Sequence, residues 1–166
     1  MFELKRLSLD AVPAALEKAH RYRLLNEPME AESICRDVLR VEPDNQHALT
    51  VLILALTDQF RTEGMGHTEE ARALLPQLSS EYARCYYAGI ICERRAMAHL
   101  YRDAPGSGDM AYDWLRQAMQ WYEKAEALRQ PGSDDALLRW NTCARVIDAH
   151  DSIRPAQEPE MPEQLE

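Results

Sequence analysis

The sequence predicts an all-α fold, and three observations carry that reading. Apolar residues recur at helical spacing, as in Ala31, Ile34, Cys35, Val38 and Leu39 at i, i+3, i+4, i+7 and i+8. Only six of the 166 residues are glycine, and β-branched residues rarely cluster, so little favours strand over helix. The runs are separated by helix-ending and helix-capping residues, among them Asn26-Glu27-Pro28, Pro43-Asp44-Asn45 and the stretch Asp103 to Gly108.

The elements follow in order. Residues 1–11 form an entry segment with Phe2, Leu4, Leu7 and Leu9. Asp10 is a candidate cap for a first helix that tolerates Pro13 in its first turn and runs to about Leu25. The second helix carries the Ala31–Leu39 stripe, and Pro43-Asp44-Asn45 ends it and caps the third, Gln46 to about Arg61. Leu49 and Val51 to Leu56 make that third helix apolar nearly all round, which means burial on both sides. Thr62 to His67 reads as a loop containing Gly64 and Gly66. Thr68 then caps a fourth helix that Pro76 should kink or end. Ser79-Ser80 restarts the chain. The fifth helix, about Glu81 to Tyr101, and the sixth, about Asp109 to Arg129, form a long αα-hairpin. A seventh helix spans about Ser133 to Ala149. Residues 151–166 make an acidic tail, with Pro155–Glu166 rich in Pro and Glu and expected to be disordered.

Bulk properties narrow the function. The formal charge is −9, which argues against a nucleic-acid partner held through its phosphates. Glu158, Glu160, Glu163 and Glu166 supply part of that charge with no nearby Lys or Arg, leaving about −5 for the rest. Met1 to Arg6 leads into no signal-type apolar region, and Val51–Leu56 is too short to insert into a membrane. Cys35, Cys85, Cys92 and Cys143 all fall in expected helices, so reduced, buried thiols and a cytoplasmic location are expected.

Two segments have a distinctive grammar. Ala118, Tyr122, Ala125 and Pro131 follow a small–aromatic–small–proline spacing, and Ala31, Cys35, Val38 and Pro43 follow a similar one. On these residues the chain resembles the tetratricopeptide repeat family, whose units are helix–turn–helix hairpins of about 34 residues. The first unit, about Val12 to Asn45, has Ala19 and Tyr22 at the small and aromatic positions and Ala31 and Pro43 later. Ala15 and Lys18 stand where the family prefers Trp and Leu. The second, about Gln46 to Leu78, has Leu49, Leu52, Leu56 and Ala71, but carries an insertion near Gly64–His67 and no closing proline. The third, about Tyr82 to Pro131, has Gly89, Ala118, Tyr122 and Ala125 on stretched helices.

The resemblance implies a right-handed α-solenoid of about three hairpins over residues 12–150, with the seventh helix as its cap. It implies a protein–protein interaction adaptor or scaffold that holds a peptide or protein segment on a concave face. Carried onto this sequence, that face comprises His20, Arg23, Thr50, Leu54, Tyr86, Ile90, Glu93 and Arg94, with Arg145 on the closing helix. His20 and Leu54 stand where chaperone-tail clamps of the family place Asn, which disfavours that ligand class. Two other readings remain: a secretion-type chaperone, and a structural protein that self-associates as a homodimer through the 81–130 hairpin.

Catalytic and metal chemistry find little footing. No Gly-x-Ser-x-Gly, His-Glu-x-x-His or phosphate-binding glycine loop occurs, so neither an enzyme nor a cofactor is expected. Cys85, Cys92 and His99 share a helix face, but seven residues of helix rise ~10.5 Å, too far for two of them to share one ion. Glu93 and Arg94 interrupt an apolar run, which suggests either an ion pair to another helix or part of a binding groove. Nine aromatics lie between Tyr82 and Trp140, and core filling is the expected role of most.

Overall fold

The computed structural model describes residues 2–62 and 65–156. Among these, seven α-helices follow one another and no strand occurs: α1 Val12–Leu24, α2 Pro28–Val41, α3 Gln46–Asp58, α4 Met65–Leu74, α5 Glu81–Arg102, α6 Ser107–Ala127 and α7 Asp135–Ala149. The prediction of an all-α chain holds.

The helix ends have local causes. At the end of α1, Asn26 takes a left-handed conformation with φ of 61°. The amide of Glu27 then donates to the Tyr22 carbonyl at 2.9 Å and that of Asn26 to the Arg23 carbonyl at 3.0 Å. This double closure leaves Pro28 to begin α2, where its missing N–H costs nothing. Asn45 caps α3 by accepting from the Ala48 amide at 2.9 Å, and Ser80 caps α5 by accepting from the Ala83 amide at 3.3 Å. A short 3-10 turn at Leu9–Ala11 precedes α1, so Asp10 lies within that turn instead of capping the helix.

The fourth helix differs most from expectation. It begins at Met65, so Thr68 lies inside it, fully buried, and does not cap it. Burial of Ala71 in the apolar core outweighs the helix-weakening Gly66, which is exposed and meets nothing nearby. Pro76 acts as expected: α4 ends at Leu74, and Leu75–Gln77 forms a tight 3-10 turn around it. Gly64, part of the expected loop, lies outside the described residues.

Each helix packs on its sequence neighbours, and α5 packs most extensively on α6. Contacts also skip one helix: α1 touches α3, and α3 touches α5. Side chains extend this alternation. Arg36 of α2 meets Glu70 of α4 at 2.7 Å, Arg72 of α4 stacks over Trp114 of α6 at 4.9 Å, and Arg139 of α7 meets Glu93 of α5 at 3.0 Å. α1, α3 and α5 thus lie beside one another as well as against their sequence neighbours.

The small residues sit where helices come closest. Ala19, Ala31, Ala118 and Ala125 are fully buried, and Gly89 lies under the Tyr122 ring with no room for a Cβ. α3 is central, with eight of its thirteen residues buried, in keeping with its apolar sequence. α5 divides its faces between two cores, placing Ile91 and Ala98 with α3 and Ile90, Cys92 and Ala96 with α6 and α7. Eight of the nine aromatics between Tyr82 and Trp140 are buried in or packed against the second core, and only Tyr101 stands largely exposed. Beyond α7 the chain stays packed, since Ile153 is buried in the same core. Residues 157–166 of the acidic tail lie outside the described residues.

Candidate functional site

The charged interruption of α5 resolves into three different side chains. Glu93 faces inward and is 7% exposed. It accepts from the Tyr122 hydroxyl of α6 at 2.6 Å and from Arg139 Nη1 of α7 at 3.0 Å. One carboxylate therefore ties three helices together, and each of its oxygens has a charge-assisted partner. Burial pushes the Tyr122 hydroxyl well above its usual range, and the adjacent Glu93 charge pushes it further. Burial alone would lower the Arg139 guanidinium, but Glu93 more than offsets this and holds it above its ordinary value. Tyr122 is thus fixed as a neutral donor and Arg139 as a cation.

Arg94, one position on, points towards α3. There it joins Arg23 of α1 around Asp58 at the end of α3. Arg23 Nε donates to Asp58 Oδ2 at 2.8 Å, with both side chains mostly buried. Arg94 Nη1 lies 3.9 Å from Asp58 Oδ1, while its own buried Nε has no hydrogen-bond partner. Arg61, just past α3, is exposed and stacks over the Tyr101 ring at 4.5 Å. Aromatic stacking positions that guanidinium, and none of the ion pairs among the described residues involves it.

These side chains line two adjoining cavities. One of about 430 Å³ is bounded by Arg23, Asp58, Arg61, Arg94 and Met97. The next, about 290 Å³, shares Arg61, Arg94 and Met97 and continues to Arg139, Thr142 and Val146 of α7. A third of about 420 Å³ adjoins the first at Asn26, Asp58 and Thr62 and ends at Pro28 and Met29 of α2. Together they make a groove across the C-terminal halves of α1, α3 and α5 and along α7. Four arginines and two carboxylates line the arginine-bearing pair of cavities, a net positive surface on a chain of −9.

Of the nine residues expected on the binding face, Arg23, Glu93 and Arg94 line this groove. His20 is exposed on α1 outside it. Thr50 is half-buried and donates to the His47 carbonyl at 2.9 Å. Leu54 and Tyr86 pack on the second core, where Ile90 is buried. Tyr86 also stacks with Tyr82 at 5.8 Å. Arg145 is exposed on α7, whereas the α7 residues that reach the groove are Arg139, Thr142, Cys143 and Val146. Asp58, Arg61, Met97 and Arg139 were not singled out from sequence. The phase of α7 carried a usable signal: Ala136 and Cys143 are its small, inward positions, and Arg139 and Val146 follow each by three.

The thiols offer no chemistry here. All four cysteines are unpaired and buried, and burial pushes Cys35 and Cys143 up to about 12. Cys85 and Cys92 are buried and His99 half-buried on one side of α5. Burial, then Arg95 and Arg102, lower His99 below its ordinary value. Among the described residues, no group of three His, Cys, Asp or Glu side chains is placed to hold a metal ion. No helix is long and apolar enough to cross a membrane.

No family model, curated protein or solved structure matches this chain.

Proposed function

We propose that this chain is a non-enzymatic adaptor or scaffold that holds a segment of another protein in the groove across α1, α3 and α5. In this reading the helices form a right-handed solenoid of about three tetratricopeptide-like hairpins, closed by α7. The alternation of helix contacts supports it, as does the burial of Ala19, Ala31, Ala118, Tyr122 and Ala125. These are the positions that carry the family resemblance, and stacked hairpins leave one side free for an extended ligand.

The observation that carries the function is the arginine-lined groove itself. It is mixed in character, with Pro28 and Met29 beside Glu27 and Glu30 at one end, Arg61, Arg94 and Met97 in the middle, and Arg139 and Val146 towards the other. Grooves that combine apolar side chains with a few convergent charged groups suit a peptide segment.

The test is affinity capture from native lysate with the full chain and with an Arg61→Gln/Arg94→Gln variant. Arg23 is a poor probe, because its bond to Asp58 joins α1 to α3 and its loss would confound folding with binding. A protein retained by the wild type and lost by a variant of unchanged helicity supports the adaptor. Identical capture by both removes the groove from the reading.

A further inference from the structure

The groove's chemistry specifies what kind of segment it accepts, and this inference rests on the adaptor reading above. We propose that the groove recognises an acidic, extended protein segment, with its carboxylates on Arg61 and Arg94 and its apolar residues on Met97 and Val146.

The first argument is charge. Arg23 and Asp58 neutralise each other at 2.8 Å, and Arg139 and Glu93 do so at 3.0 Å. Subtracting these two close pairs leaves Arg61 and Arg94 as the surplus of the two arginine-bearing cavities, while Glu27 and Glu30 line the third. The Arg94–Asp58 approach is long at 3.9 Å, beyond hydrogen-bond distance, and Asp58 is already engaged by Arg23 at 2.8 Å, so Arg94 is the less neutralised of the two. Both surplus cations border both of the adjoining cavities, so a ligand lying across them meets the two together.

The second argument is unsatisfied capacity. The Nε of Arg94 is buried without an acceptor, which is an unfavourable state for a charged donor. Arg61 is exposed and lies over an aromatic ring, an arrangement that occupies the face of its guanidinium and not the N–H edge that a planar acceptor uses. A carboxylate is planar and accepts from guanidinium groups in pairs, which suits the exposed Arg61 and the part of the Arg94 guanidinium that reaches the surface, whereas the Arg94 Nε itself is sealed from a ligand.

The third argument is the neighbourhood. On the α7 side of the arginines the wall includes the half-buried apolar side chains of Met97 and Val146, beside Thr142 and the Glu93-paired Arg139. A segment alternating acidic and apolar residues matches this order. A polyphosphate chain matches it less well, because it carries no apolar groups for Met97 and Val146.

The probes are three short fluorescent peptides: one alternating Glu with Leu and Ala, one with Gln for each Glu, and one with Lys. A labelled single-stranded oligonucleotide is the fourth. Each is titrated by anisotropy, at low and at physiological ionic strength. The proteins are the full chain, Arg61→Gln/Arg94→Gln, and a chain with Glu158, Glu160, Glu163 and Glu166 all changed to Gln. The expected result is binding of the Glu peptide, roughly tenfold weaker for each surplus arginine removed and weaker with salt. Arg61→Lys/Arg94→Lys should recover part of it, which separates lost charge from damage to the fold.

If the Glu peptide binds more tightly once the tail is neutralised, the chain's own acidic tail competes for the same groove, and the chemistry stands. Equal or better binding of the Lys peptide overturns the proposal. So does failure of the Glu peptide on both the wild-type and tail-neutralised chains, and so does an oligonucleotide that binds more tightly than the Glu peptide through the same arginines. A protein captured through Arg61 and Arg94 by a chain that ignores the Glu peptide would keep the adaptor and discard this inference. A bound Glu peptide with lysate capture unaffected by the variant would do the reverse.

Discussion

Glu93, Arg94 and Arg95 are consecutive, yet the helix sends them to three different environments. Glu93 is sealed between α6 and α7, Arg94 lines the groove, and Arg95 is buried at 3% exposure. The Glu93 position is the one most sensitive to change. Glu93→Ala strands Arg139 and the Tyr122 hydroxyl and should lower stability by about 3–5 kcal/mol. Tyr122→Phe removes one hydrogen bond to a charged acceptor and should cost about 1.5–3 kcal/mol. Urea unfolding measures both, and two losses of equal, small size would show that this cluster does not bind as described. His99 gives a pH-dependent prediction. Its folded value lies below the ordinary 6.5 through burial and then Arg95 and Arg102. The unfolded chain therefore takes up the proton more readily, so the contribution is full above 6.5 and is lost as pH falls through the folded value. His99→Asn should flatten the loss of stability between neutral and mildly acid pH, and an unchanged slope would count against the description of this side of α5.

At the scale of the elements, the α5–α6 hairpin is the main structural unit, and its closest approach is at Gly89. A Cβ there would fall on the Tyr122 ring, 2.7 Å from Cδ1. An alanine in mid-helix ordinarily gains up to about 1 kcal/mol over glycine. Here the tightly held ring cannot give way without disturbing Glu93, so Gly89→Ala should instead destabilise by about 1–3 kcal/mol. Thermal unfolding decides the sign. A stabilised Gly89→Ala protein would mean that the hairpin is spaced more widely than described. The same crowding explains why the long helices were readable in sequence. The small positions Gly89, Ala118 and Ala125 mark the seam, and helices that run for many turns along one seam need long apolar stripes. The fourth helix was less legible because its placement depends on burial of Ala71 in the core, a tertiary gain that local turn signals do not contain.

For the whole molecule, the distribution of charge matters more than its sum. A chain of −9 carries two adjoining cavities with two more arginines than carboxylates, next to a third lined by Glu27 and Glu30. Because Arg61 is exposed and Arg94 pairs only weakly, Arg61→Gln/Arg94→Gln should change folding stability by no more than about 0.5 kcal/mol. Denaturant melts of the variant and the parent check this. A large loss would recast the two residues as part of the scaffold and withdraw them from the binding surface.

The sequence by itself determined that the chain is helical, where most helices begin and end, and which small residues mark the crossings. Those properties are local: periodicity, capping residues and proline act within a turn or two of chain. It also pointed to Arg23, Glu93 and Arg94 as residues of interest. Only the tertiary structure decided that Glu93 is an internal tie while Arg94 is a surface group, and that Asp58, Arg61 and Arg139 complete the groove. Those assignments depend on the rotation of each helix about its axis and on which helix lies opposite. A difference of one residue turns a side chain by about 100°, from core to groove, and nothing in local spacing fixes that choice until the helices have packed.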